Sequence, residues 1–199
     1  MFIEAFIGDN WVARSYTLTS TELNNYYEIS VKREKFGLFS NWLFDHCKIG
    51  SVMRTSIPQG NFLIDCSKQS PVVCFVAGIG VTPAIAFVRN IFSLKKVRPL
   101  IIYYSAHDDK DVLFRDELLN YQNELSSIKI NIRITRTEGR MNEDEVAHVA
   151  SQHPDADFYI CGPANYLEFV SHALQRTSLP MNRIFIEEFT PAGSKISSS

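Results

Sequence analysis

The stretch PVVCFVAGIGVTPAIAFVR, Pro71 to Arg89, leaves a folding chain few choices. Five apolar residues without a polar break, Val72 to Val76, suit a strand covered on both faces, as in a parallel sheet. Ala77-Gly78-Ile79-Gly80 then turns the chain without Cβ bulk. Thr82 is placed to cap a helix with Pro83 at its first position, and Ile85, Val88 and Phe92 supply a buried stripe. At such a strand–turn–helix junction, glycines let a ligand reach the backbone, while free N–H groups and the helix dipole favour an anion. A phosphate-bearing nucleotide is the natural occupant. Pro83 stands where G-x-G-x-x-G has its third glycine, so the strict dinucleotide fingerprint is not met. A tight strand–helix turn without a ligand is an equal reading of this segment alone.

From Val72 onward the pattern alternates. Strands are predicted at Val72–Ala77, Leu100–Tyr104, Lys129–Thr135, Asp157–Cys161 and Arg183–Glu187. Between them, Phe114, Leu118, Tyr121 and Leu125 share one helical face, as do Leu167, Val170 and Leu174. Asn142 with Glu145 reads as a capping box. This rhythm predicts right-handed crossovers and a doubly wound parallel sheet with helices on both faces. Ligands of such sheets sit beyond the carboxyl ends of the strands, where Gly78–Thr82, Ser105, Arg136 and Cys161-Gly162-Pro163 would gather.

Residues 1 to 66 have β character instead. Phe2 to Ile7 and Trp11 to Leu18 flank Gly8-Asp9-Asn10, a hairpin signal, and Tyr27 to Val31 alternates again. A helix is predicted at Ser40 to His46, capped by Ser40, with short strands at Ser51–Ser56 and Phe62–Asp65 around the turn Pro58-Gln59-Gly60. The expected architecture is therefore a partial antiparallel β-barrel over residues 1–68, a parallel α/β domain over 69–190, and a Ser-rich linker or disordered tail over 191–199.

Composition narrows the function. A formal net charge of −2 with both signs interspersed gives no footprint for nucleic acid or an acidic membrane. With no secretory h-region and no apolar run of about 18 residues, the expectation is a cytoplasmic protein without membrane insertion. Cys47, Cys66, Cys74 and Cys161 are far apart and the five histidines lack paired spacing, so no metal site is expected. Arg14-Ser15-Tyr16-Thr17, taken alone, fits a strand with an outward arginine. Gly37-Leu38-Phe39-Ser40 offers a second turn at a helix N-terminus, and two cradles suggest two nucleotides.

RSYT at 14–17, VKR at 31–33, GLFS at 37–40, AGIGVTP at 77–83 and CGP at 161–163, in this order and spacing, resemble the ferredoxin–NADP reductase superfamily. The similarity covers nearly the whole chain and looks closest to NADH-dependent reductases that pass electrons from FAD to a plant-type [2Fe–2S] centre, as in oxygenase and hybrid-cluster reductase systems. The resemblance implies that Arg14 binds flavin phosphate, that Tyr16 lies against the flavin with the Thr17 hydroxyl facing N5, and that Gly37, Leu38, Phe39 and Ser40 hold the pyrophosphate. Ser15, Val31 and Lys32 would flank the flavin. Gly78, Gly80, Val81, Thr82 and Pro83 would line the nicotinamide dinucleotide, with Ser105 and Arg136 beyond them. Cys161 would sit close to the nicotinamide ring before Gly162-Pro163, and Glu187 and Phe189 would form an acidic and aromatic edge near the flavin. Thr17, Cys161 and Glu187 would then be the catalytic set.

The implied reaction is hydride transfer from NADH, with NADPH possible through Arg136 and Arg140, to FAD, and onward to a [2Fe–2S] ferredoxin-type protein or domain. Ser105-Ala106-His107-Asp108-Asp109 is more acidic than basic, which favours NADH. Two departures accompany the resemblance: the opening strands of the flavin barrel are not found before Met1, and no C-x-x-x-x-C-x-x-C follows Phe189. The rival expectation is a truncated nucleotide-binding or interaction module without turnover.

Overall fold

A computed structural model describes residues 1–189; the expected tail lies outside them. The α/β half is built on a parallel sheet in the order β6-β5-β4-β7-β8, comprising β4 (Val72–Ala77), β5 (Leu100–Ala106), β6 (Ile128–Ile134), β7 (Asp157–Gly162) and β8 (Ile184–Glu188). The polar-free run of β4 has its reason here, since β4 is the central strand. Val72, Cys74 and Val76 face α2 (Thr82–Ser93) and α3 (Arg115–Glu124), where Ile85, Val88, Ile91 and Leu118 meet them. A single helical turn, α4 (Thr135–Glu138), follows β6, and Val73 and Phe75 face the other way, onto Val146 and Val149 of α5 (Glu143–Gln152) and Leu167, Val170 and Leu174 of α6 (Ala164–Gln175). Every β4 residue is consequently buried. The Asn142 capping box forms with both of its hydrogen bonds.

The β-rich half is an antiparallel sheet, β2-β1-β3, of β1 (Phe2–Ile7), β2 (Asn10–Ser15) and β3 (Arg54–Thr55). Gly8, at φ +60°, supplies the left-handed turn of the hairpin. Ile3 and Ala5 point inward onto Phe39 of α1 (Leu38–His46), while Phe6 and Trp11 pair their rings edge-on at the surface. No helix among the described residues is long and apolar enough to cross a membrane.

The structure corrects several local expectations. Tyr27 to Val31 forms no strand; it makes a single bridge, Ile29 to Leu18, because alternation produces a ladder only where a partner runs alongside. For the same reason Phe62 to Asp65 is not a strand and Ser51 to Ser56 shrinks to Arg54–Thr55. Ser40 does not cap α1. The helix starts at Leu38 from Gly37, and the Ser40 hydroxyl donates to the Gly37 carbonyl and accepts from the Glu34 amide. Thr82 is likewise not a cap. Gly78–Val81 is a 3₁₀ turn leading straight into α2, and the Thr82 hydroxyl donates back to the Ile79 carbonyl at 3.1 Å. Phe92, 39% exposed, leaves the buried stripe to Ile91 and packs its ring on Tyr121.

Candidate functional site

A cavity of about 860 Å³ separates the two halves, within the span of roughly 300–1,000 Å³ usual for small-molecule sites. One wall is the chain leaving β2, Ser15 to Leu18. The opposite wall is one face of α2, where Pro83, Ala86, Phe87, Asn90 and Leu94 recur at helical spacing. Phe62 to Cys66 make the floor, and Glu187 and Phe189, at the end of β8, close one end.

Of the residues singled out from the sequence, Ser15, Tyr16, Thr17, Pro83, Glu187 and Phe189 therefore meet in one space. Tyr16 leans on Phe39, ring centroids 6.1 Å apart, which ties the cavity wall to α1. Burial pushes the Tyr16 phenol above its ordinary pKa and Arg14 only partly opposes this, so the ring is neutral. Burial also raises the Glu187 carboxyl, partly opposed by the amino terminus, which makes it a better proton carrier than an open carboxylate.

Arg14, two residues before Tyr16, spends one Nη on its neighbour's carbonyl, Ala13 O, at 2.6 Å. Its Nε is buried without a partner, and among the described residues no carboxylate pairs with it. A half-buried, permanently charged fork whose one buried N–H is unused suits an anionic ligand such as a phosphate. Gly37 opens α1 in a setting where a side chain would force its neighbours to shift: a Cβ there would lie 2.5 Å from Ser40 Oγ and 2.9 Å from Glu34 Cβ. Val31 is half-buried, and Lys32 is exposed and ion-paired with Glu34 at 3.4 Å.

The glycine turn lies at the carboxyl end of β4, against the end of β7. Gly80 packs so closely on Cys161 and Gly162 that a Cβ would sit 2.4 Å from the Cys161 carbonyl oxygen. Gly78, at φ +55°, has the reverse surroundings, with nothing within 4 Å of a built Cβ, so the outer side of the turn is open for a ligand. Ser105 is buried at the end of β5, and Pro163 is exposed at the start of α6. Arg136 is exposed and held by Asp108 at 2.8 Å, its amide donating to the His107 carbonyl. Cys161 is fully buried in the core and does not belong to the cavity lining; burial raises its thiol pKa, first of all, and Glu187 adds to this.

Beyond Pro83, the cavity face of α2 lies outside the sequence motifs. Ala86, Phe87, Asn90 and Leu94 are spaced from Pro83 as one helical stripe, distinct from the Ile85, Val88, Ile91 stripe that packs on the sheet. Both periodicities are in the sequence; which one faces a cavity depends on where the other half of the molecule sits.

Residues 1–64 match the family described as the oxidoreductase FAD-binding domain, and residues 75–172 that described as the oxidoreductase NAD-binding domain. A flavohemoprotein of Deinococcus radiodurans is 29% identical over 198 residues, covering 94% of this chain and 49% of the relative. A crystal structure of flavohemoglobin from Malassezia yamatoensis with bound FAD and heme superposes with a TM-score of 0.79 at 26% identity, over 96% of this chain and 50% of the other. The ferredoxin NADP+ reductase of Neisseria gonorrhoeae, solved with bound FAD and NADP, shares the fold with a TM-score of 0.81 at 15% identity, over 95% and 85% of the two chains. The chain spans about half the length of the curated relatives it matches.

Proposed function

We propose that this chain, which belongs to the ferredoxin–NADP reductase superfamily, is the reductase unit that passes a hydride from NAD(P)H to FAD and electrons onward to a one-electron acceptor. The observation that carries the reading is the shared cavity. Residues of the FAD-binding domain, Tyr16 and Thr17, face residues of the NAD-binding domain and its sheet edge, Pro83, Glu187 and Phe189, across one space.

FAD, when bound, supplies the N5 atom that accepts the hydride. The chain's own part is to bind, orient and exclude water. Arg14, with its unused Nε, would hold the flavin phosphate, and the turn Gly37-Leu38-Phe39-Ser40 the pyrophosphate. Tyr16, neutral and backed by Phe39, would support the flavin ring, placing the Thr17 hydroxyl at N5, with Ser15, Val31 and Lys32 along the flank. The open outer side of Gly78-Ile79-Gly80, with Val81, Thr82 and Pro83, would take the dinucleotide, and Ser105 and Arg136 its far end. Cys161 would act as a neutral packing group behind the nicotinamide, with Gly162 and Pro163 shaping the wall. Glu187, its carboxyl pKa raised by burial, would stand near the flavin edge, beside Phe189.

Arg136 is engaged by Asp108, which favours NADH over a 2′-phosphorylated cofactor. A domain boundary at 68/69 belongs to this reading, and the stretch between the two family matches, which end at 64 and begin at 75, supports it. For the acceptor, a [2Fe–2S] protein or domain is one candidate, and the flavohemoprotein relatives, one of them solved with heme beside FAD, support heme iron as the other.

The test is spectroscopic. Purified protein reconstituted with FAD is expected to show flavin absorbance that bleaches on anaerobic addition of NADH, faster than with NADPH. Arg14→Ala is expected to weaken FAD binding about 10- to 100-fold, the loss of charge-assisted hydrogen bonds, with the NAD-binding domain still folded. Protein that takes up no flavin, or a variant with unchanged flavin affinity, would refute the assignment.

A further inference from the structure

Arg89 lies on α2 next to Asn90, a cavity residue, yet its side chain takes no part in the cavity. Its Nε and Nη2 form a two-pronged bond with the Glu117 carboxylate of α3, at 2.7 and 2.9 Å. The remaining Nη1 crosses to the FAD-binding domain, donating to the Thr19 carbonyl at 2.7 Å and to Glu28 Oε1 at 2.5 Å. Thr19, fully buried, donates its own hydroxyl to the same Glu28 oxygen and its amide to the Glu28 carbonyl. The guanidinium also lies over the Phe114 ring, 5.6 Å from its centroid. One side chain thus ties α2 to residues 28, 61 and 70 positions away from it in sequence.

We propose that Arg89 is the positioning residue that clamps the two domains and so sets the separation across the cavity. The geometry carries the argument. Thr19 is two residues beyond Thr17 on one wall, and Arg89 stands on the helix that forms the other, so the clamp fixes the walls relative to each other. The fork to Glu117 orients the guanidinium within its own domain, leaving only Nη1 to reach out. That makes the contact directional, which a lysine's point charge would not reproduce. Transfer between two bound groups is sensitive to their separation, a misplacement of about 1 Å costing on the order of a hundredfold.

The kinetic half of this proposal rests on the hydride-transfer reading; the clamp itself does not. The experiment therefore has two readouts on the full chain. In protein without added nucleotide, Arg89→Met is expected to speed amide exchange at Thr19 by about tenfold or more, the loss of a charge-assisted tie, while β4 amides are unchanged. In FAD-loaded protein, single-turnover reduction by saturating NADH is expected to slow by about 10- to 100-fold with the KM for NADH nearly constant. Arg89→Lys should recover only part of the loss. Glu28→Ala, which removes one arm at a half-exposed position, should give a smaller effect of the same kind and serves if Arg89→Met fails to fold. Unchanged exchange at Thr19 in both variants would overturn the clamp, and loosened exchange with an unaltered reduction rate would overturn its positioning role. Wild-type protein that binds FAD but is not reduced by NADH would instead overturn the reading of the cavity, and the exchange data would still decide the clamp.

Discussion

Gly80→Ala tests whether the glycine turn is built for close approach or merely for flexibility. The added Cβ would lie 2.4 Å from the Cys161 carbonyl oxygen, 2.6 Å from its carbon and 2.8 Å from the Gly162 Cα. All three are backbone atoms of β7, which is fixed between β4 and β8, so no side chain can swing aside to relieve the clash. Overpacking of this kind costs about 1–3 kcal/mol, and with backbone on the receiving side the upper end, about 3 kcal/mol, is expected. At about 2–4 °C per kcal/mol for a chain of this size, Tm should fall by roughly 6–12 °C. Gly78→Ala is the matched control. It meets nothing within 4 Å and suffers only from its φ of +55°, a strain of about 1–2 kcal/mol that a stiffer unfolded chain partly offsets. Thermal melts followed by circular dichroism, with NADH titrations, make the comparison. Gly80→Ala should also weaken NADH, because relief of the clash moves Cys161 and Gly162 away from the turn. If it melts no lower than Gly78→Ala, the close-approach argument is wrong.

Two further outcomes follow from buried and paired charges. Arg98, with a side chain 0% exposed, donates to Asp157 at 2.6 Å and to the carbonyls of Asp65 and Ser70, fastening the interdomain segment to the base of the sheet. Arg98→Met leaves Asp157 with only the half-exposed Lys68 and should cost about 3–5 kcal/mol in urea melts, while the double variant with Asp157→Asn should cost less than the sum of the two singles. The Glu145 carboxyl is held below its ordinary pKa of 4.5, first by the Arg133 guanidinium and then by the Asn142 amide. A depressed carboxyl stabilises the fold above its unfolded pKa and loses that contribution as pH falls through the lower folded value. Glu145→Gln should accordingly reduce stability near neutrality and flatten its decline below about pH 4.5; an unchanged acid limb would show that the pair contributes nothing.

The sequence by itself determined the α/β half. An uninterrupted Val72–Val76 run admits only a strand covered on both faces, and the stripes of Ile85 and Val88, Leu118, and Leu167, Val170 and Leu174 supply the covering helices, so period and hydrophobicity sufficed. The motifs, and the resemblance they carry, also named residues that do share a space, Ser15 to Thr17 and Pro83 from the motifs and Glu187 and Phe189 from the resemblance. The β-rich half was less legible because a strand is made by its neighbour: Tyr27 to Val31 alternates correctly yet finds one bridge instead of a ladder. Hydroxyl caps failed for a related reason. Ser40 and Thr82 had the right chemistry, but their preceding turns, Gly37 and Gly78–Val81, had already started the helices and drew both hydroxyls back onto carbonyls. Only the tertiary structure decided that Cys161 is sealed in the core, that a second stripe of α2 faces a cavity, and that Arg89 reaches Thr19 and Glu28. The last two depend on how two separately patterned halves meet, and the contacts that fix that meeting lie 61 and 70 residues apart, beyond the reach of any local period.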